Sequence, residues 1–295
     1  MTAEAERLLA EVGLPAEPHL VARAGGYLRR TQLGRRYGMI AGFAVSAVVS
    51  LLVHFQPSQL ELGIPLLLAG YVLGILVTEI RVPLPARRGS RAADLTIRSP
   101  AGLVPGWARA GMWASALPVL AAVILLPAAG ARAVHGASLI QTASYTCFGG
   151  PMTWPAMPAL AVPGAVAVTG LLIAEYGLAV LSRRPRPADD AAQARLDDAL
   201  RGLSARAITG GATALGLALT AAVCYALSEL SAADVCVPGA AQPVPQYPWV
   251  DAYLHPWAGF AGGGFMIAAV ITVARCRRRH DPRLIVQREP VRGTA

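Results

Sequence analysis

Few residues in this chain could do chemistry, and Glu175 is foremost. It stands in an apolar run, about 159–181, seven residues before Ser182. On a helix rising about 1.5 Å per residue, that spacing puts it ~10 Å inside the end of the run. A carboxylate at such depth is costly, and groups of this kind face a bundle interior or a wet cavity. Two readings stay open: a proton- or cation-linked site or substrate contact, or a neutral or hydrogen-bonded structural group reaching Ser115 or Thr78. Glu79 stands two residues from Arg81 and reads as a structural side chain that snorkels to an interface.

The cysteines come next. Cys147 and Cys236 each sit in a long segment between apolar runs, and a structural disulfide between them is expected. The competing reading adds His135, His255, Asp234 and Asp251 as metal ligands. No Cys-x-x-Cys or His-x-x-x-His spacing supports it, so no metal and no cofactor are expected. Cys224 falls in a stripe of small residues, and Cys276 among arginines. The chain contains no Gly-x-x-x-x-Gly-Lys-Ser, no His-Glu-x-x-His and no Gly-x-Ser-x-Gly. Without a paired nucleophile, metal cluster or acid–base couple, the chain is not expected to be an enzyme.

The elements that hold these residues are apolar runs at about 37–53, 62–80, 110–129, 159–181, 208–227 and 257–274. Each approaches the ~20 residues that cross ~30 Å of hydrocarbon. All 26 basic residues are arginines, and all but Arg132 fall in the segments that would share one side. That bias is the positive-inside pattern. It predicts an all-α polytopic membrane protein with six transmembrane helices and both termini cytoplasmic, in a bacterial plasma membrane. The expected parts are a basic N-terminal segment (1–36), a transmembrane domain (37–274) and a basic tail (275–295).

Hydrophobic residues make up 55% of the chain and charged residues 15%, well below the roughly 25% charged of soluble domains. The net charge of +9 therefore reads as anchoring to anionic lipid, not as nucleic-acid binding. Residues 187–206 predict a short amphipathic cytoplasmic helix, with Leu196, Leu200 and Leu203 on one face. It would lie on the membrane or on a partner. Pro118 should kink the third span.

Between helices in lipid, close approach of small residues supplies the packing energy. Gly70 and Gly74, then Ala212, Gly216 and Thr220, then Gly259 and Gly263 offer such stripes. They serve either packing within the bundle or a homodimer face.

Three stretches carry a resemblance. They are Leu66-Leu67-Leu68-Ala69-Gly70 running to Glu79-Ile80-Arg81; Ser182-Arg183-Arg184-Pro185-Arg186 with Asp197-Asp198-Ala199-Leu200-Arg201; and the single Cys in each large outer segment. In these the chain resembles uncharacterised six-span integral membrane proteins of high-GC actinobacteria. The resemblance implies the six-span fold and no catalytic residues. Two functions remain in view. One is a transport component, the membrane subunit of an exporter whose separate ATPase docks on loops 81–109 and 183–206. The other is an assembly or regulatory membrane protein that acts by binding partners.

Overall fold

A computed structural model describes residues 2–53, 59–81, 103–128, 138–141, 146–149, 157–183, 191–231, 234–235, 244–245 and 255–278. Among them are seven helices: α1 (Thr2–Glu11), α2 (Pro18–Val53), α3 (Gln59–Arg81), α4 (Gly106–Ala128), α5 (Met157–Arg183), α6 (Ala191–Ser231) and α7 (His255–Arg278). Five stretches are long and apolar enough to cross a membrane: Gly63–Ile80, Gly106–Leu125, Val162–Arg183, Ala191–Tyr225 and Trp257–Cys276. The first expected span, 37–53, is the second half of α2 and is not among those five. Large apolar side chains such as Phe43, Leu117, Leu172, Phe260 and Ile267 point outward from the bundle. That surface suits lipid, and the chain is a membrane protein.

At the centre of the bundle, α6 packs against α3, α4, α5 and α7, while α2 packs on α3. Two buried clusters fill the interior. One gathers around Ile75, Met112, Leu178 and Ile208, the other around Val119, Leu215 and Leu219. The helices run unbroken through Pro65, Pro118 and Pro163.

One expectation is corrected here. Residues 191–206 do not form a separate surface helix, because α6 continues without a break for 41 residues. Its Leu196 and Leu200 are buried against Leu8, Leu9, Leu20 and Tyr27. Helix α2 likewise runs through residue 36 without a break, for 36 residues in all. The first turns of α2 and α6, closed over by the amphipathic α1, make a small helical head with its own apolar core. An apolar stripe satisfied by a neighbouring helix looks, in sequence, like one satisfied by a membrane surface.

The segments expected outside also hold strands: β1 (Ser138–Gln141), β2 (Thr146–Gly149), β3 (Asp234–Val235) and β4 (Val244–Pro245), in the order β1-β2-β3-β4. The helical fold thus carries a small sheet that the apolar runs did not announce. Its β1–β2 and β3–β4 pairs are antiparallel, and the parallel pair Phe148↔Val235 joins the two long segments.

Candidate functional site

Helix contacts fix which residues share a height in the bundle. Gly210 of α6 faces Cys276 of α7, and Gly211 faces Tyr71 and Val72 of α3. Gly177 of α5 faces Ile208 and Leu76, and Gly216 faces Ser115 of α4. Stepping along each helix at about 1.5 Å per residue, Arg109, Glu175 and Arg275 fall level with Gly210 and Gly211. Arg35, Arg36 and Arg206 lie about one turn below, so a belt of arginines girdles the molecule within ~7 Å of height.

Glu175 belongs to this belt. Helix α4 starts at Gly106, directly after Pro105, whose carbonyl accepts from the Ala108 and Arg109 amides. Arg109 is therefore in the first turn of a helix, where the sequence suggested a loop. Its Nε donates to Glu175 Oε1 at 2.8 Å and its Nη2 to Oε2 at 2.7 Å. Trp113, one turn further, donates its indole N–H to Oε1 at 2.9 Å. This two-bond fork is the strong form of a carboxylate–guanidinium pair. The side chains of Arg109 and Glu175 are 44% and 21% exposed, so the pair lies on the perimeter of the bundle, not in its interior. Expected partners Ser115 and Thr78 are engaged elsewhere: Ser115 Oγ donates to the Met112 carbonyl and Thr78 Oγ1 to the Ile75 carbonyl. Three donors thus converge on Glu175, two from Arg109 and one from Trp113. Sequence reasoning placed no second charge beside it, because nothing in the spacing of 109 and 175 links them.

A second polar cluster fastens the head to the bundle. Glu79, near the end of α3, does not snorkel outward; it is buried. Its Oε1 lies against the Tyr27 hydroxyl of α2 and, at 2.6 Å, Ser204 Oγ of α6, and those two hydroxyls lie against each other, so their two protons make two of the three possible hydrogen bonds at a time. Within α6 the side chains of Asp197 and Arg201 pair one turn apart and are almost fully buried. Arg23 Nη1 donates to Gln193 Oε1 at 2.9 Å across the head. Polar groups removed from water need such partners.

The predicted packing residues divide. A Cβ on Gly70 would stand 2.2 Å from the Gly38 carbonyl oxygen, and one on Gly74 2.2 Å from that of Gly34. The two backbones touch, and the matching stripe Gly34, Gly38 and Gly42 on α2 escaped sequence reasoning. Spacing alone could have found it, had Arg35 and Arg36 not been taken as the end of the span. Gly216 meets Ser115, Thr220 Oγ1 donates to the Ser115 carbonyl at 3.1 Å, and Ala212 is buried. All three pack within the bundle. On α7 the tight contact is made by Gly262 against Tyr225 and Ala221, while Gly259 and Gly263 make only ordinary contacts. Cys224 and Cys276 are free thiols within the packed helices.

Cys147 lies on β2, but Cys236 is outside the described residues, and so is the expected bridge. The paired residues Phe148 and Val235 are their immediate sequence neighbours. Of loops 81–109 and 183–206, residues 82–102 and 184–190 also lie outside the described set. Among the described residues no cluster of His, Cys, Asp and Glu could hold a metal ion. No protein-family profile matches the sequence, and no curated protein or solved structure matches it significantly.

Proposed function

We propose that this is a six-span protein of the bacterial plasma membrane with both termini cytoplasmic. In this reading it is a non-transporting assembly or regulatory protein that binds a cytoplasmic partner through its helical head. The observation that carries the choice is the state of Glu175. A coupling carboxylate needs a free route to proton or substrate, whereas this one is closed by Arg109 and Trp113 on the outside of the bundle.

The membrane placement is supported by lengths measured from the arginine belt. Arg109 to Ala128, Met157 to Glu175, Gly210 to Ser231 and His255 to Arg275 are stretches of about 27 to 32 Å at 1.5 Å per residue. Each matches a hydrocarbon thickness of about 30 Å. The belt then marks the inner boundary, and the head stands in the cytoplasm, with arginine on the side the positive-inside pattern requires.

A second reading is favoured by one feature. Helices α2 and α6 pass unbroken from head to bundle, so a load on the head would move two membrane helices directly. The membrane subunit of an exporter driven by a separate ATPase needs such a linkage. Purification from native expression in mild detergent, with mass spectrometry of co-purifying chains, separates the two. A stoichiometric non-ATPase partner, lost when Leu8 and Leu196 are replaced by Asp, supports the first reading. A stoichiometric ATPase overturns it in favour of the second.

A further inference from the structure

The pair Arg109–Glu175 ties two spans together and keeps bonding capacity to spare. Two of the five N–H donors of Arg109 go to Glu175, and the other three have no partner among the described residues. On Glu175, Oε1 accepts from both Arg109 and Trp113, while Oε2 accepts from Arg109 alone. Arg109 is nearly half exposed, which leaves its spare donors accessible from outside the bundle. Helices α4 and α5 pack together along their height. Met112, Leu171 and Ala174 share one buried cluster near the pair, and higher up a Cβ on Gly164 would meet Val123. On the outer side of that contact Leu117 stands one turn above Trp113, and Leu172 one turn above Glu175; both are more than half exposed. With the belt as inner boundary, the polar pair lies where headgroups meet hydrocarbon, and the two leucines lie among acyl chains.

The charges of the pair say what would cover it. A guanidinium with a free planar edge matches phosphate oxygens. The carboxylate beside it repels a second negative charge and favours an ammonium, which bonds Oε2 only if it carries N–H. Among common headgroups, phosphatidylglycerol brings a phosphate without a cation, and phosphatidylcholine a cation without N–H. Phosphatidylethanolamine brings a phosphate and a primary ammonium on one short chain, a mirror of the pair itself. Such a contact is made from the lipid side and leaves Glu175 closed toward the bundle interior.

We infer that the seam between α4 and α5 binds a zwitterionic phospholipid of the inner leaflet whose headgroup ends in a primary amine. The phosphate sits on the free edge of Arg109, the ammonium donates to Glu175 Oε2, and an acyl chain lies along Leu117 and Leu172. The inference rests on the membrane placement proposed above.

The test is native mass spectrometry of the full chain in detergent, titrated with phosphatidylethanolamine, phosphatidylcholine, phosphatidylglycerol or phosphoethanolamine at equal concentration. Phosphatidylethanolamine should be retained as a single adduct about tenfold more than either other lipid, the factor that one charge-assisted hydrogen bond supplies. Glu175→Gln should reverse the order in favour of phosphatidylglycerol, because Arg109 then has no countercharge. Arg109→Gln should abolish every preference, and Arg275→Gln, exposed at the same height on α7, should leave the native order intact. Equal retention of the three lipids by the native chain, or an unchanged order in Glu175→Gln, overturns the site. Binding of phosphoethanolamine as tight as that of the whole lipid overturns the assignment to a lipid. Liposome flotation of the native chain keeps the two levels apart. A chain that floats without lipid preference loses the site but not the membrane placement, and a chain that does not float loses both. Circular dichroism checks that each variant is folded, and the reversal in Glu175→Gln is a gain that a misfolded chain would not show.

Discussion

Glu175 and Arg109 behave as one unit at the edge of the bundle. Because Arg109 is 44% exposed, solvent and headgroups screen the pair, and exposed ion pairs contribute about 0–1 kcal/mol. Glu175→Gln should therefore lower stability by less than about 1 kcal/mol in detergent and leave partner binding unchanged. Arg109→Leu should cost more, because it leaves a carboxylate beside apolar side chains with only Trp113 to donate to it. Thermal unfolding of both variants checks the order. A strongly destabilised Glu175→Gln with a mild Arg109→Leu would mean that the carboxylate serves some other partner. The sequence singled out Glu175 but gave no sign of its partner Arg109, because no spacing links the two. With the belt as the proposed boundary, the depth counted from Ser182 shrinks, and the last two turns of α5 lie below it, packed against the lower part of α6.

At the scale of the elements, two contacts decide the architecture. One is the backbone approach of α2 and α3 through Gly34, Gly38, Gly70 and Gly74. A side chain on Gly38 would collide with the Gly70 carbonyl, and forced overpacking costs about 1–3 kcal/mol or more. Gly38→Leu should thus lower the melting temperature and the yield of folded protein, whereas Gly264→Leu, with open space around it, should do neither. Equal effects at the two positions would contradict the packing. The other contact is the strand pair that joins the two long segments. A Cys147–Cys236 bridge would tie the same segments covalently, and the intact mass under denaturing conditions should then rise on reduction. No change on reduction would leave the strand pair as the tie among the described residues. Five spans were legible as apolar runs, and part of the packing as small-residue stripes, but the stripe Gly34, Gly38 and Gly42 was not. The sheet was not, because strands of two to four residues leave no periodicity to read. The head was visible only as amphipathic faces. Leu8, Leu9, Leu196 and Leu200 fit a neighbouring helix as well as they fit a membrane, and only the fold brings them together.

For the whole molecule, the central claim is a division at the arginine belt: hydrocarbon above, cytoplasmic head below. It shortens the membrane part of α3, α5 and α6 at their inner ends and gives the head two continuous connections into the bundle. A partner that grips the head thereby reaches helices that touch every other span. The claim separates cleanly from the apolar runs taken alone at Val77 and Ile80. Both are exposed on α3 and fall inside the run 62–80; Ile80 lies below the belt and Val77 at its lower edge. Leu73 is also exposed but lies near the upper edge of the belt. The measurement is labelling of single cysteines at 73, 77 and 80, in a background with the native cysteines replaced by serine, using a membrane-impermeant maleimide on inside-out vesicles. The account predicts that Val77→Cys and Ile80→Cys react while Leu73→Cys stays protected. Protection of all three would place the boundary at Arg81 and contradict the account.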